Sequence, residues 1–165
     1  LNEIVAEALP ELTKHYQIIH LTGKNKNVFP RSPSPFGRGE GEGRYCSLEF
    51  ASEEMGDLYA AADLVITRAG MGALTELSAL GKCMIIVPLP NTHQEENARY
   101  FKKHNAAVVL EQNNLTGDRL VSAVQELFDK IGNMQEHCER NKEFTPSNAA
   151  EQVAGEIVAL KGLDK

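Results

Sequence analysis

The chain has 165 residues, 42% hydrophobic and 24% charged, which suits one globular domain with a real core and is short for two. Its net charge of −6 argues against a broad nucleic-acid surface. No apolar run is long enough to span a bilayer, and there is no basic-then-apolar signal segment.

Residues 1–16 carry apolar positions at Leu1, Ile4, Val5, Leu9 and Leu12, a helical stripe that Pro10 interrupts. Residues 17–21 read as a strand that ends at Thr22-Gly23. Residues 24–44 are rich in proline (Pro30, Pro33, Pro35) and then in glycine (Gly37, Gly39, Gly41, Gly43). Such low complexity predicts a flexible loop, and a glycine at every second position rules out a good strand interior. Its Arg31, Arg38 and Arg44 read as solvated loop arginines, with phosphate contact as the sharper alternative. Residues 45–50 read as a strand. Residues 53–62 read as a helix with Met55, Leu58, Tyr59 and Ala62 on its inner face.

The most informative stretch is residues 62–98. The apolar run 64–66 reads as a buried strand, followed by the turn Arg68-Ala69-Gly70-Met71-Gly72. A helical pattern covers 73–80 and stops at Gly81. A second apolar run, 83–87, ends in Pro88-Leu89-Pro90, and the polar cluster 91–97 opens another helix. Strand, glycine turn, helix, strand, polar turn, helix is a βαβα pattern, which predicts a parallel sheet. Ligands of such sheets bind beyond the carboxyl ends of the strands, where both turns fall.

Gly70 and Gly72 permit positive φ and close approach of a ligand to the main chain. The helix behind them offers unpartnered N–H groups and partial positive charge to an anion. A plain strand-to-helix turn explains the same glycines. The spacing is neither Walker A nor the dinucleotide fingerprint. Glu76 falls in the first turn of the predicted helix, where it either complements the macrodipole or accepts hydrogen bonds from a sugar diol. Arg68 can pair with a phosphate or with Glu76. His93, Gln94, Glu95 and Asn97 can exchange hydrogen bonds with hydroxyls, or form an ordinary capped helix start.

Beyond this stretch, residues 98–104 complete a helix with a basic end, and 106–110 form a short strand. Thr116 is the expected N-cap of a helix striped by Leu120, Val124, Leu127 and Ile131. Residues 134–141 continue as a charged surface helix, 145–148 break it, and 149–160 form an amphipathic helix with Val153, Ile157 and Leu160. His15, His20, His104 and His137 are scattered and form no ligand set. The three cysteines (Cys46, Cys83, Cys138) lack metal-like spacing. Cys46 and Cys83 fall in apolar or strand contexts and read as reduced, cytosolic core residues.

The runs ADLVITRAGMGALTEL, GKCMIIVPLP and HQEENA, in this order and spacing, resemble the carboxyl-terminal domain of the MurG-type N-acetylglucosaminyltransferases of glycosyltransferase family 28. The resemblance covers residues 1 to about 160 and is weakest across 24–44. It implies a doubly wound, Rossmann-like α/β domain of the GT-B fold over 1–165. It also implies a ligand, UDP-N-acetylglucosamine, and a reaction, transfer of its sugar to lipid-linked muramyl-pentapeptide in peptidoglycan synthesis. Glu76 matches the acid that holds the ribose hydroxyls. Gly70, Met71, Gly72 and Ala73 match the turn beside the phosphates and sugar, with Arg68 just before it. Ala51 matches the backbone that reads the uracil edge, and Met55 packs near the base. By spacing alone Met55 is a core residue. His93 and Gln94 match the pair facing the sugar hydroxyls, although the family often has Gln where His93 stands.

The resemblance implies no cofactor and no metal, and the chain has no Asp-x-Asp. It assigns no catalytic base here, because the acceptor site belongs to the family's amino-terminal domain. In the family this domain opens on a strand and a glycine-rich loop, and Leu1-Asn2 matches the residues after that loop. The expectation is therefore a missing first strand, lost phosphate contacts, weak donor binding and no sugar transfer by this chain alone. The full protein is expected at the cytoplasmic face of the plasma membrane. Another GT-B nucleotide-sugar enzyme and a non-catalytic subunit needing a partner chain are the rival readings.

Overall fold

The computed structural model describes residues 1–26, 44–129 and 148–161. The elements run α1 (Asn2–Leu12), β1 (Ile18–Leu21), β2 (Tyr45–Leu48), α2 (Met55–Ala61), β3 (Leu64–Thr67), α3 (Met71–Ala79), β4 (Cys83–Ile86), α4 (Gln94–Lys103), β5 (Val108–Val109), a 3-10 turn (Gln112–Asn114), α5 (Gly117–Asp129) and α6 (Ala149–Lys161). Most of the expected loop (27–43), the helix at 134–141 and Ile131 lie outside the described residues.

Every strand pairing among the described residues is parallel, as the βαβα pattern requires. β1 pairs with β2, Ile18 opposite Tyr45. β3 pairs with β4, Leu64 opposite Cys83, and β4 with β5, Ile85 opposite Val108. The ladders form two sheets, β1-β2 and β3-β4-β5.

Strand β4 is the axis of the core. All four of its residues are buried, which explains why the run reads as continuous apolar sequence. Successive side chains point to opposite faces. Ile85 and Val87 join Leu9 and Leu12 of α1 and Leu120 and Val124 of α5. Met84 and Ile86 join Leu74 and Leu77 of α3 and Phe101 of α4. Helices therefore cover both faces, the doubly wound arrangement. Each fully buried Leu or Ile contributes about 1.5–3 kcal/mol.

Helix α1 is seated on α5 through a close approach at Gly117. The Gly117 amide donates to Glu7 Oε2 at 3.1 Å. Thr116 caps the same helix as expected, its hydroxyl accepting from the Arg119 amide at 3.4 Å.

Four expectations are corrected. Helix α3 begins at Met71, not Ala73, because Gly70 is its extended N-cap, so no acidic residue lies in its first turn and Glu76 falls in the second. Gly70 has φ −73°, and neither it nor Gly72 adopts positive φ; among the described glycines that conformation belongs to Gly23 and Gly81. No residue of α2 is buried, so Met55 is half-buried and not a core residue. Cys83 is disulfide-bonded rather than reduced, a pairing no spacing could reveal, while Cys46 is free and buried.

Candidate functional site

The two turns singled out by the sequence lie at the carboxyl ends of β3 and β4, neighbours in one sheet. Arg68 and Asn97 tie them together, and a further bond closes the second turn on itself. Arg68 Nη1 donates to the carbonyls of Val87, at 3.1 Å, and Pro88, at 3.4 Å. The Leu89 amide donates to Gln94 Oε1 at 3.1 Å. Asn97 Nδ2, one turn further along α4, donates back to the Ala69 carbonyl at 3.0 Å. Arg68 therefore braces the second turn rather than pairing with Glu76. Burial pulls its pKa below the usual value, and its guanidinium stays charged.

The first turn presents bare main chain. The earliest bond of α3 runs from the Leu74 amide to the Gly70 carbonyl, at 3.1 Å. The amides of Met71, Gly72 and Ala73 precede it and have no acceptor within the helix. A Cβ built on Gly70 or Gly72 would meet nothing within 4 Å. These glycines satisfy no conformational need; they leave open space in front of three free N–H groups, a site suited to an anion. Met71 and Gly72 are exposed and Ala73 is half-buried.

Glu76 is exposed and forms no ion pair among the described residues. Its charge reaches Tyr59 of α2, whose phenol is pushed up first by burial and then by Glu76.

In the second turn, Thr92 does the capping. Its hydroxyl donates to the Leu89 carbonyl at 2.8 Å and accepts from the Gln94 amide at 3.2 Å. His93 is the N-cap residue but its side chain makes no cap bond, and it is exposed. Gln94 spends its carbonyl oxygen on Leu89, and no described hydrogen bond uses its NH2 group. Ala51 is buried, just past β2, and no described hydrogen bond joins it to the two turns.

The geometry thus unites Arg68, Gly70, Met71, Gly72, Ala73, His93 and Gln94 around two adjacent turns. Glu76 follows in the second turn of α3, and Ala51 and Met55 stand apart. Sequence reasoning missed the bracing parts played by Asn97 and Thr92 and the proximity of Tyr59 to Glu76. The three-residue spacing of Gln94 and Asn97 on one helix face was the available signal.

Among known families, residues 1–153 match the glycosyltransferase family 28 C-terminal domain. The UDP-N-acetylglucosamine--N-acetylmuramyl-(pentapeptide) pyrophosphoryl-undecaprenol N-acetylglucosamine transferase of Legionella pneumophila (strain Corby) is 40% identical over 134 residues, covering 79% of this chain and 35% of that protein. The protein of the same name from Lachnoclostridium phytofermentans is 35% identical over 165 residues, covering 98% of this chain and 43% of that one. The crystal structure of Acinetobacter baumannii MurG has the same fold, with a TM-score of 0.75 at 24% identity over 96% of this chain and 46% of that chain. The fold is that of a Rossmann-like GT-B carboxyl-terminal domain. The chain spans less than half the length of these relatives.

Proposed function

Because the chain belongs to the glycosyltransferase family 28 C-terminal domain family, we propose that it is the donor-binding half of a transferase. That enzyme would move N-acetylglucosamine from UDP-N-acetylglucosamine to lipid-linked muramyl-pentapeptide, the reaction in the names of its relatives. The observation that carries this reading is the pair of braced turns with three free amides and open space before Gly70 and Gly72.

The diphosphate would lie across the amides of Met71, Gly72 and Ala73, where the α3 dipole favours negative charge. Glu76, exposed and with its charge felt by Tyr59 of α2, would accept hydrogen bonds from the ribose diol. The uracil would then fall on the α2 side, against Met55 and the main chain at Ala51. His93 and the Gln94 NH2 would meet the sugar hydroxyls.

In the reaction an acceptor hydroxyl attacks the anomeric carbon, the bond from that carbon to the diphosphate oxygen breaks, and UDP leaves. The free amides of α3 would stabilise charge growing on the diphosphate. No residue of this chain is assigned as the base that takes the hydroxyl proton; that group belongs with the acceptor site. Attack needs donor and acceptor in one closed cleft, so this chain alone is expected to bind donor weakly and transfer no sugar.

No helix among the described residues is long and apolar enough to cross a membrane. We place the full protein at the cytoplasmic membrane face, where a lipid-linked acceptor would be met.

Calorimetric titration with UDP and UDP-N-acetylglucosamine, wild type against Glu76→Ala, tests the reading. Loss of charge-assisted hydrogen bonds should weaken binding by roughly 1–3 kcal/mol. Equal affinity of the two proteins would remove Glu76 from the ribose.

A further inference from the structure

The second turn holds Gln94 at both of its ends. Its main-chain amide donates to Thr92 Oγ1 at 3.2 Å, and its side-chain Oε1 accepts from the Leu89 amide at 3.1 Å. Thr92 closes the ring, its hydroxyl donating to the Leu89 carbonyl at 2.8 Å. Leu89 thus gives both of its main-chain polar groups to this ring. Asn91, at φ 59°, makes the reversal that brings Thr92 back onto Leu89, and asparagine takes this left-handed conformation more readily than most residues.

The ring has a fixed polarity. A glutamine amide has two ends of nearly equal size and opposite hydrogen-bonding sense, an acceptor oxygen and a donor NH2. In water either end can face outward. Here the Leu89 N–H can only donate, so the oxygen turns toward it; the reversed amide would set donor against donor. Thr92 is committed in the same way. Its hydroxyl has one proton, which goes to the Leu89 carbonyl, and its oxygen is left to accept from the Gln94 amide. Every bond in the ring therefore has a fixed donor and a fixed acceptor, and the part of Gln94 left over is a donor.

The ring is also anchored to the first turn. Arg68 holds the carbonyls of Val87 and Pro88, the residues just before Leu89. Asn97, one turn after Gln94, is bonded to the Ala69 carbonyl. Thr92 and Gln94 are half-buried, whereas His93 between them is exposed and its side chain makes no cap bond. Of His93 and Gln94, the second is the one whose side chain is oriented by hydrogen bonds among the described residues.

We propose that Thr92 is a positioning residue for sugar recognition: through Leu89 it holds Gln94 as an obligate donor, so that this point of the site reads an oxygen that accepts a hydrogen bond, a sugar hydroxyl or an amide carbonyl. Thr92 has this role only if the donor reading of the two turns holds, and it touches no ligand itself. The effect is selective. UDP lacks the sugar, so its affinity does not depend on the ring. UDP-N-acetylglucosamine carries both kinds of acceptor oxygen, so its affinity does.

The test measures the affinity of this chain for UDP and for UDP-N-acetylglucosamine by calorimetry and reads the ratio of the two. Thr92→Val keeps the shape and removes both hydroxyl bonds. The ratio should then shift against UDP-N-acetylglucosamine by roughly threefold to tenfold, the worth of about one hydrogen bond, while UDP affinity stays at the wild-type value. Thr92→Ser restores the hydroxyl and should restore the ratio. In proton–nitrogen NMR the side-chain NH2 signals of Gln94 should move on adding UDP-N-acetylglucosamine and stay in place with UDP. Gln94→Glu separates the two kinds of oxygen: a hydroxyl can turn and donate to the carboxylate, which keeps the ratio, whereas a carbonyl cannot, which lowers it. Equal loss of both ligands in Thr92→Val would make the ring a structural brace alone and overturn the proposal. So would an unchanged ratio, a failure of Thr92→Ser to restore it, or NH2 signals that do not move. A folded wild type that binds neither ligand would instead overturn the donor reading, and the role of Thr92 with it.

Discussion

The side-chain amide of Asn97 donates to the main-chain carbonyl of Ala69 at 3.0 Å. This bond links α4 to the turn before α3, and with the Arg68 bonds to Val87 and Pro88 it fixes the spacing of the two turns. Asn97→Ala removes it and takes that partner from the carbonyl of Ala69, a buried residue. Unfolding by denaturant should show a loss of about 1 kcal/mol. Donor affinity, measured by calorimetry on the folded variant, should fall as well. An unchanged affinity would mean that the two turns do not act on one ligand.

Gly70 and Gly72 offer a sharper separation of fold from function. At Gly72 the backbone is helical and a Cβ would enter open space. Gly72→Ala should therefore leave the fold intact and raise stability by about 0.5–1 kcal/mol, since glycine is the poorer helix former. The same methyl would stand where a diphosphate must approach the main chain. The expected outcome is a higher melting temperature with weaker UDP binding. A stabilised variant with undiminished binding would place the ligand elsewhere.

Much of this was legible in the sequence. The buried run 83–87, with glycine and polar turns on either side, announces a parallel sheet, and β4 occupies that run with helices on both faces. What the sequence concealed were relations between distant residues. Helix α3 starts two residues early because Gly70 can be an extended N-cap, and that shift moves Glu76 out of the first turn and removes its dipole explanation. Helix α2 has the apolar spacing of a core helix, yet Met55, Leu58 and Tyr59 are only half-buried, because they line an open cleft together with β1 and β3. Periodicity records which face is apolar, not what covers it. The bracing of Arg68 on Val87 and Pro88 spans about twenty positions, beyond any local pattern.

Gly117 is the opposite kind of glycine. A Cβ there would stand 2.6 Å from Glu7 Cβ and 3.0 Å from the Glu7 carbonyl carbon. The second contact is backbone and cannot swing aside. Gly117→Ala should push α1 off α5 and cost about 1–3 kcal/mol, as overpacking does. A melting curve would show the loss, and donor affinity of the folded fraction should be little changed. A neutral substitution would mean that α1 sits more loosely on α5 than this contact implies.

His20 makes stability depend on pH. It is buried on β1, with Nδ1 3.1 Å from the Tyr45 hydroxyl and Nε2 3.4 Å from Asn2 Oδ1. A neutral ring meets both neighbours, accepting from Tyr45 at Nδ1 and donating to Asn2 from Nε2. Burial holds its pKa below the usual 6.5. As pH falls through 6.5 the unfolded chain takes up a proton at His20 that the folded chain still refuses. The unfolded state then binds more protons, so stability rises with pH in this window and is lost as pH falls toward the folded value. Below the folded value His20 adds no further loss. Denaturant midpoints taken from about pH 7.5 to about pH 5 should decline for the wild type. His20→Gln, which cannot titrate and keeps a donor and an acceptor, should flatten that part of the decline. An unaltered slope in the variant would assign the acid sensitivity to other groups.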